Sequence, residues 1–236
     1  MKLQHEFSKP IYQNIDLICD FMGKSSDFVV REITVGSYHA ALFYLDGMTD
    51  MQKIQDNVIR PLQETSAEEL SLSFLKDSVL DVGEVSFSDN IEDALEQILS
   101  GGLLLLIDGM GEGLVVSIPG WEERSITESK TQPVIRGPQE SFTENLRTNT
   151  TMVRRRVKDT RVRLTNVKVG EKTKTDISVM YMHGVADDEL VRNMISRLKN
   201  MKMDRVLEGE YLEESLVENK QLTIFPIFYN SDRPDS

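Results

Sequence analysis

The sequence predicts an α/β protein of two small subdomains with mixed sheets, joined by a linker and sharing a repeated ββα unit. Residues 33–60, ITVGSYHAALFYLDGMTDMQKIQDNVIR, can be laid over residues 167–197, VKVGEKTKTDISVMYMHGVADDELVRNMISR. In each, a β-rich run ends in Val-Gly, a second run of β-branched and aromatic residues closes on Gly47 or Gly184, and a helix follows. Residues 103–107, LLLLI, form an unbroken branched run directly after a helix, the pattern of a strand covered on both faces of an α/β layer. Between residues 129 and 138, Lys130, Thr131, Gln132, Pro133, Gly137 and Pro138 offer little to bury. The expected division is an N-terminal subdomain over 1–130, a linker over 131–141 and a C-terminal subdomain over 142–236.

Along the first half, Asp50 reads as the start of the first repeat helix, with Ile54 and Val58 on its buried stripe. A helix is expected over 66–75 and a strand over 79–87, broken at Gly83. Ser88, Asp89 and Asn90 offer capping oxygens to a helix with the stripe Ile91, Leu95, Ile98 and Leu99, which Gly101 and Gly102 end. After 103–107, the DGMGEG turn of 108–113 leads into a hairpin partner over 114–118, and 123–127 reads as one more strand. In the second half, Ser141 stands three residues before Glu144, the capping-box spacing, so a helix is expected to open at Phe142. It would carry Phe142, Leu146, Val153 and Val157 on one face and Arg147, Arg154 and Lys158 on another. Strands over 162–169 and 176–182 follow, then a helix over 188–200 led by Asp187 with Val191 and Ile195 inward. A strand over 204–207, an acidic helix over 210–217 and a strand over 223–229 interrupted by Pro226 complete the expected order.

Composition narrows the function. The chain has 236 residues, of which 39% are apolar, enough for real cores. No apolar run approaches the ~20 residues that cross a bilayer, and Lys2, Glu6, Lys9, Asp16 and Asp20 interrupt the start where a signal peptide would need an apolar stretch. A lone Cys19 agrees with a reducing, cytoplasmic compartment. The net charge of −12 argues against nucleic-acid binding. Between residues 147 and 174, however, ten Lys and Arg stand against two acidic residues, a block suited to an anionic partner or an anionic lipid surface. Arg147, Arg154, Arg155, Arg156 and Lys158 are therefore the candidate partner or anion contacts.

Reactive constellations are missing from the sequence pattern. DGMGEG is followed by a strand rather than a helix, so it does not read as a phosphate loop. His5, His39 and His183 lack the companions of a zinc site, and Cys19 lies among Ile11, Ile15, Leu17 and Ile18, where thiols are inert. The expectation is a non-enzyme with no metal and no cofactor. His183 stands where the repeat has Asp46, each just before the turn glycine, and strand ends of α/β layers often receive ligands. Asp46 and His183 are thus the candidates for a ligand cleft between the subdomains.

Three stretches, VIRGPQESFTENLRTNTTMVRRR, TKTDISVMYMHGVADDELV and FPIFYNSDRPD, resemble the soluble N-terminal part of the A subunit of the spore germinant receptors of endospore-forming bacteria, the GerA family. The resemblance spans nearly the whole chain and weakens over the first ~30 residues, as termini do. It implies a soluble, cytoplasmic-side region of a spore inner-membrane protein whose transmembrane helices lie outside this sequence. It further implies B- and C-type receptor subunits as partners, self-association into a homo-oligomer, and a role in assembly and signal relay during nutrient-induced germination. A nutrient-binding module closing between the two subdomains is the alternative.

Overall fold

A computed structural model describes residues 5–66, 69–120, 140–201, 212 and 230–234 of the chain. The chain divides into two compact units, Met1–Glu122 with Arg154–Arg161, and Glu123–Val153 with Val162–Ser236. The first unit takes back a short segment from the middle of the sequence, a feature that the reading of a single linker does not contain.

The first unit is a layered α/β body. Helix α1 (Ile11–Met22) opens behind Pro10, places Ile11, Ile18 and Met22 inward, and stops at Gly23, whose φ of 59° few other residues adopt. Strands β1 (Phe28–Val35) and β2 (Tyr38–Leu45) form a hairpin closed by the two-residue turn Gly36-Ser37. Helix α2 covers residues 51–64 as Met51–Lys53, Ile54–Ile59 and Arg60–Glu64, the middle segment wound in wider i→i+5 turns. Pro61 supplies a reason. Lacking an N–H, it leaves the Asn57 carbonyl without its helical donor, and the Asp81 N–H takes that carbonyl at 3.2 Å. The extra residue in the turn brings Ile54, Val58, Ile59 and Leu62 all into the core.

Helix α3 covers residues 72–79, as Leu72–Phe74 and Leu75–Val79. It starts later than the expected 66–75 because the Ser71 hydroxyl accepts from the Phe74 N–H and thereby sets the start. Strand β3 is correspondingly shorter than expected, Val85–Ser88, since Val79 closes the helix and Asp81, Gly83 and Glu84 intervene. Helix α4 (Ile91–Ile98) begins at Asn90, whose Oδ1 accepts from the Asp93 N–H at 2.8 Å, and strands β4 (Gly102–Ile107) and β5 (Gly113–Ser117) pair as the expected hairpin.

The five strands run β1-β2-β4-β5-β3, and every pair among the described strands is antiparallel, where mixed sheets were expected. The βα step from β3 through α4 does deliver two strands of the same direction, but β5 inserts between them. Both faces of the sheet are covered, as the LLLLI run requires. Leu103, Leu105 and Ile107 point into one core with α2 and α3, and Leu104 and Leu106 into another with α1 and α4.

The second unit contains most of α5 (Leu146–Arg156), the hairpin of β6 (Val162–Val169) and β7 (Thr175–Met182), and α6 (Asp188–Asn200). The repeated unit is visible in atomic detail. Asp50 Oδ1 accepts from the N–H groups of Gln52 and Lys53, and Asp187 Oδ1 from those of Glu189 and Leu190. Gly47 and Gly184 hold φ of 86° and 77° at the turns that precede these caps. The two copies differ in burial: Ile54 and Val58 are fully enclosed in the first helix, whereas Leu198 is the buried residue of α6. The expected strands over 123–127, 204–207 and 223–229, the helix over 210–217 apart from Leu212, and most of the linker lie outside the described residues.

Candidate functional site

The basic run is organised around a helix that starts later than its capping-box pattern suggests. Asn145, not Ser141, caps α5: its Oδ1 accepts from the Thr148 N–H at 3.1 Å. Ser141 instead donates its hydroxyl to the Asp232 carbonyl at 3.2 Å, and the Phe142 N–H reaches the same oxygen. Thr143 is held to Asn149 by side-chain and backbone bonds, which places Phe142 and Thr143 ahead of the helix. Long-range partners thus outcompeted a local capping pattern.

Of the five predicted basic contacts, the structure turns one inward. Arg154 is 1% exposed; its Nε donates to Asp27 Oδ2 at 2.8 Å, and its Nη2 donates to Asp27 Oδ1 and to Ser25 Oγ, each at 2.9 Å. Ser25 Oγ in turn donates to Asp27 Oδ1 at 2.5 Å. The third nitrogen, Nη1, is buried without a hydrogen-bond partner. A guanidinium paired on both forks with a buried carboxylate is an internal tie and is not available to an external anion, which corrects the surface reading of Arg154. Asp27 and Ser25 close the turn into β1, and the Asp46 N–H donates to the Asp27 carbonyl at 2.7 Å, so the tie fastens the returning segment to the root of the β1–β2 hairpin. Asp27 carries no motif that marks it in the sequence.

The other basic residues fall in both units. Lys158 is exposed and donates to Ser100 Oγ at 3.1 Å, while Arg155 and Arg156 are half-buried, and all three belong to the first unit. Arg147 is exposed and belongs to the second unit. Asp46 is half-buried in the first unit, and His183 stands exposed in the second with its Nδ1 3.8 Å from Asp188.

His5, His39, His183 and Cys19 all lie among the described residues. No group of His, Cys, Asp and Glu there could hold a metal ion. His5 and His39 each meet a single carboxylate, Glu92 at 2.6 Å and Glu32 at 2.9 Å. Burial, with Asp16 and Asp20 nearby, pushes the Cys19 thiol above its ordinary value, away from the thiolate that a nucleophile needs. In the DGMGEG turn, Asp108 Oδ1 accepts from the Ile11 N–H at 2.9 Å, so this loop caps α1 rather than a phosphate.

Glu92 gives a pH-dependent tie on the N-terminal segment. Burial works to raise its carboxyl, but hydrogen bonds from the His5 ring and the His5 N–H outweigh that and hold it below the usual carboxylate range. A depressed folded value contributes stability that is complete above the unfolded value of about 4.3 and is lost as pH falls through the folded one. Glu92→Gln is expected to cost about 1 kcal/mol near neutral pH and to flatten this part of the acid limb in thermal melts; an unchanged acid limb would assign it to other carboxylates.

Comparison with known proteins places this arrangement. The sequence profile described as Bacillus/Clostridium GerA spore germination protein matches residues 16–236. The chain belongs to the GerA spore germination family. Spore germination protein KA of Bacillus subtilis is 35% identical over 91% of this chain and 40% of its own length, and spore germination protein B1 of the same organism is 31% identical over 98% and 48%. The chain therefore spans less than half the length of these curated relatives. Among solved structures, the N-terminal domain of the A subunit of the Bacillus megaterium spore germinant receptor GerK3 is 34% identical, with a TM-score of 0.69, over 99% of this chain and 88% of that one. The fold is thus that of a germinant-receptor A-subunit N-terminal domain. No helix among the described residues is long and apolar enough to cross a membrane.

Proposed function

We propose that this GerA-family chain is the cytoplasmic-side N-terminal domain of a spore germinant receptor A subunit in the spore inner membrane, serving receptor assembly and signal relay during nutrient-induced germination. The observation that carries the reading is the match over 99% of its length to the N-terminal domain of a receptor A subunit. B- and C-type receptor subunits are the partners, and the contacts are the remaining basic residues: Arg155, Arg156 and Lys158 in the first unit and Arg147 in the second. Anionic lipid and a second copy of the chain are further candidates for the same cationic residues. The net charge of −12 leaves nucleic acid out of this proposal.

Co-purification of tagged receptor subunits from spores tests the assignment. Reversing Arg155, Arg156 and Lys158 to Glu is expected to cut recovery of the B- and C-type subunits about tenfold or more and to slow germination, while the isolated chain still folds. Unaltered recovery with normal germination would remove these residues from the assembly contact.

A further inference from the structure

We propose that the face of the first unit built around Phe87 is a docking surface for a partner polypeptide that presents an apolar side chain flanked by lysine or arginine. The proposal goes beyond the germination reading and stands without it. Its basis is the register of β3. Val85 packs against the core that α2 and α3 share, and Leu114, the residue paired with Phe87, is fully enclosed in that core. Alternation along the strand therefore puts Phe87 on the core side of the sheet. It is nonetheless 45% exposed, and Phe74 on α3 is 40% exposed. Lys76 of the same helix holds its ammonium 4.9 Å from the centre of the Phe87 ring. A ring held in place by a cation has less freedom to lose when a partner arrives.

Phe87 forms a ridge between two hollows within this unit, whose residues 5–66 and 69–120 are described. The larger hollow, about 550 Å³, is lined by Leu70, Leu72 and Met110 together with Phe87. An apolar hollow beside an exposed aromatic ring accepts a large apolar anchor, the usual centre of a protein contact. The charge around the ridge selects what flanks that anchor. Asp89, Asp93 and Glu96 line the smaller hollow and Glu112 the larger, against the single ammonium of Lys76 on the ring. A cationic segment is attracted to this rim and an acidic one is repelled. Met110 and Glu112 both come from the DGMGEG turn, so that turn supplies one apolar and one charged group to the same face.

The test titrates the whole 236-residue chain into a labelled helical peptide with leucines on one face and lysines beside them, read by fluorescence anisotropy. Phe87→Ala and Glu112→Lys are each expected to weaken binding about tenfold or more, with circular dichroism showing both variants folded. Glu112 is exposed in a turn, so its variant keeps the test open if Phe87→Ala disturbs the sheet. A peptide with glutamates in place of the lysines should not bind. Binding that never appears would overturn the proposal. So would affinity unchanged in folded Phe87→Ala or in Glu112→Lys, because only the general attraction of a chain of net charge −12 for a cation would then remain. Self-association of the chain alone that Phe87→Ala removes would assign the face to a second copy, and would overturn the proposal as stated.

Discussion

Arg154→Met is expected to lower the unfolding free energy of the first unit by ~3–5 kcal/mol, because it leaves the buried Asp27 carboxylate without its cation. Asp27 is 6% exposed and accepts both forks of the guanidinium, so water replaces little of what is lost. The partner variant Asp27→Leu should be comparably damaging, since it strands a buried guanidinium that already has one unpartnered nitrogen. The double variant Arg154→Met, Asp27→Leu is the informative one: two apolar side chains in place of a buried ion pair are often neutral or stabilising, so most of the loss should return. Denaturant unfolding followed by probes in each unit checks this, since two units need not melt as one transition. Additive losses in the double variant would show that the pair is not the source of the effect.

The second large effect falls at Phe43. Its ring is fully enclosed in the core that α1 and α4 form over the sheet, stacked 6.4 Å from Phe28. Phe43→Ala should cost ~3–5 kcal/mol through lost burial and the cavity left behind. Met180 occupies the equivalent place in the second copy, yet is half-buried, so Met180→Ala should cost about 1 kcal/mol or less. Unfolding titrations of the two variants side by side compare one position in two environments. Equal losses would mean that Met180 is packed as tightly as Phe43.

How much of this could be read from residues depends on the range over which the deciding interaction acts. The ββα repeat was legible because its markers are local: a turn glycine at positive φ, an aspartate that caps two residues on, and apolar positions at helical spacing. Residues 103–107 were legible because five branched residues leave no polar face. Where a distant partner decided, the pattern misled. Ser141 and Glu144 have capping-box spacing, yet the Ser141 hydroxyl goes to Asp232, ninety-one positions away, and Asn145 caps the helix. Arg154 sits in a run of three arginines that reads as surface, but its carboxylate partner lies 127 positions earlier. Periodicity cannot report such pairings. The antiparallel order of the five-stranded sheet was hidden for a similar reason, since the βα step fixes the directions of β3 and β4 but not the strand that comes between them.

The account divides one basic run into an internal tie at Arg154 and a set of proposed partner contacts at Arg155, Arg156 and Lys158. Amide exchange across the β1–β2 hairpin, measured on the isolated chain for Arg154→Met and for the triple charge reversal, tests that division most directly. The account predicts that Arg154→Met speeds exchange at residues 25–30 and 44–46 by about tenfold or more while the triple variant leaves it unchanged. Equal exchange in the two variants, whether both fast or both at the parent rate, would contradict it.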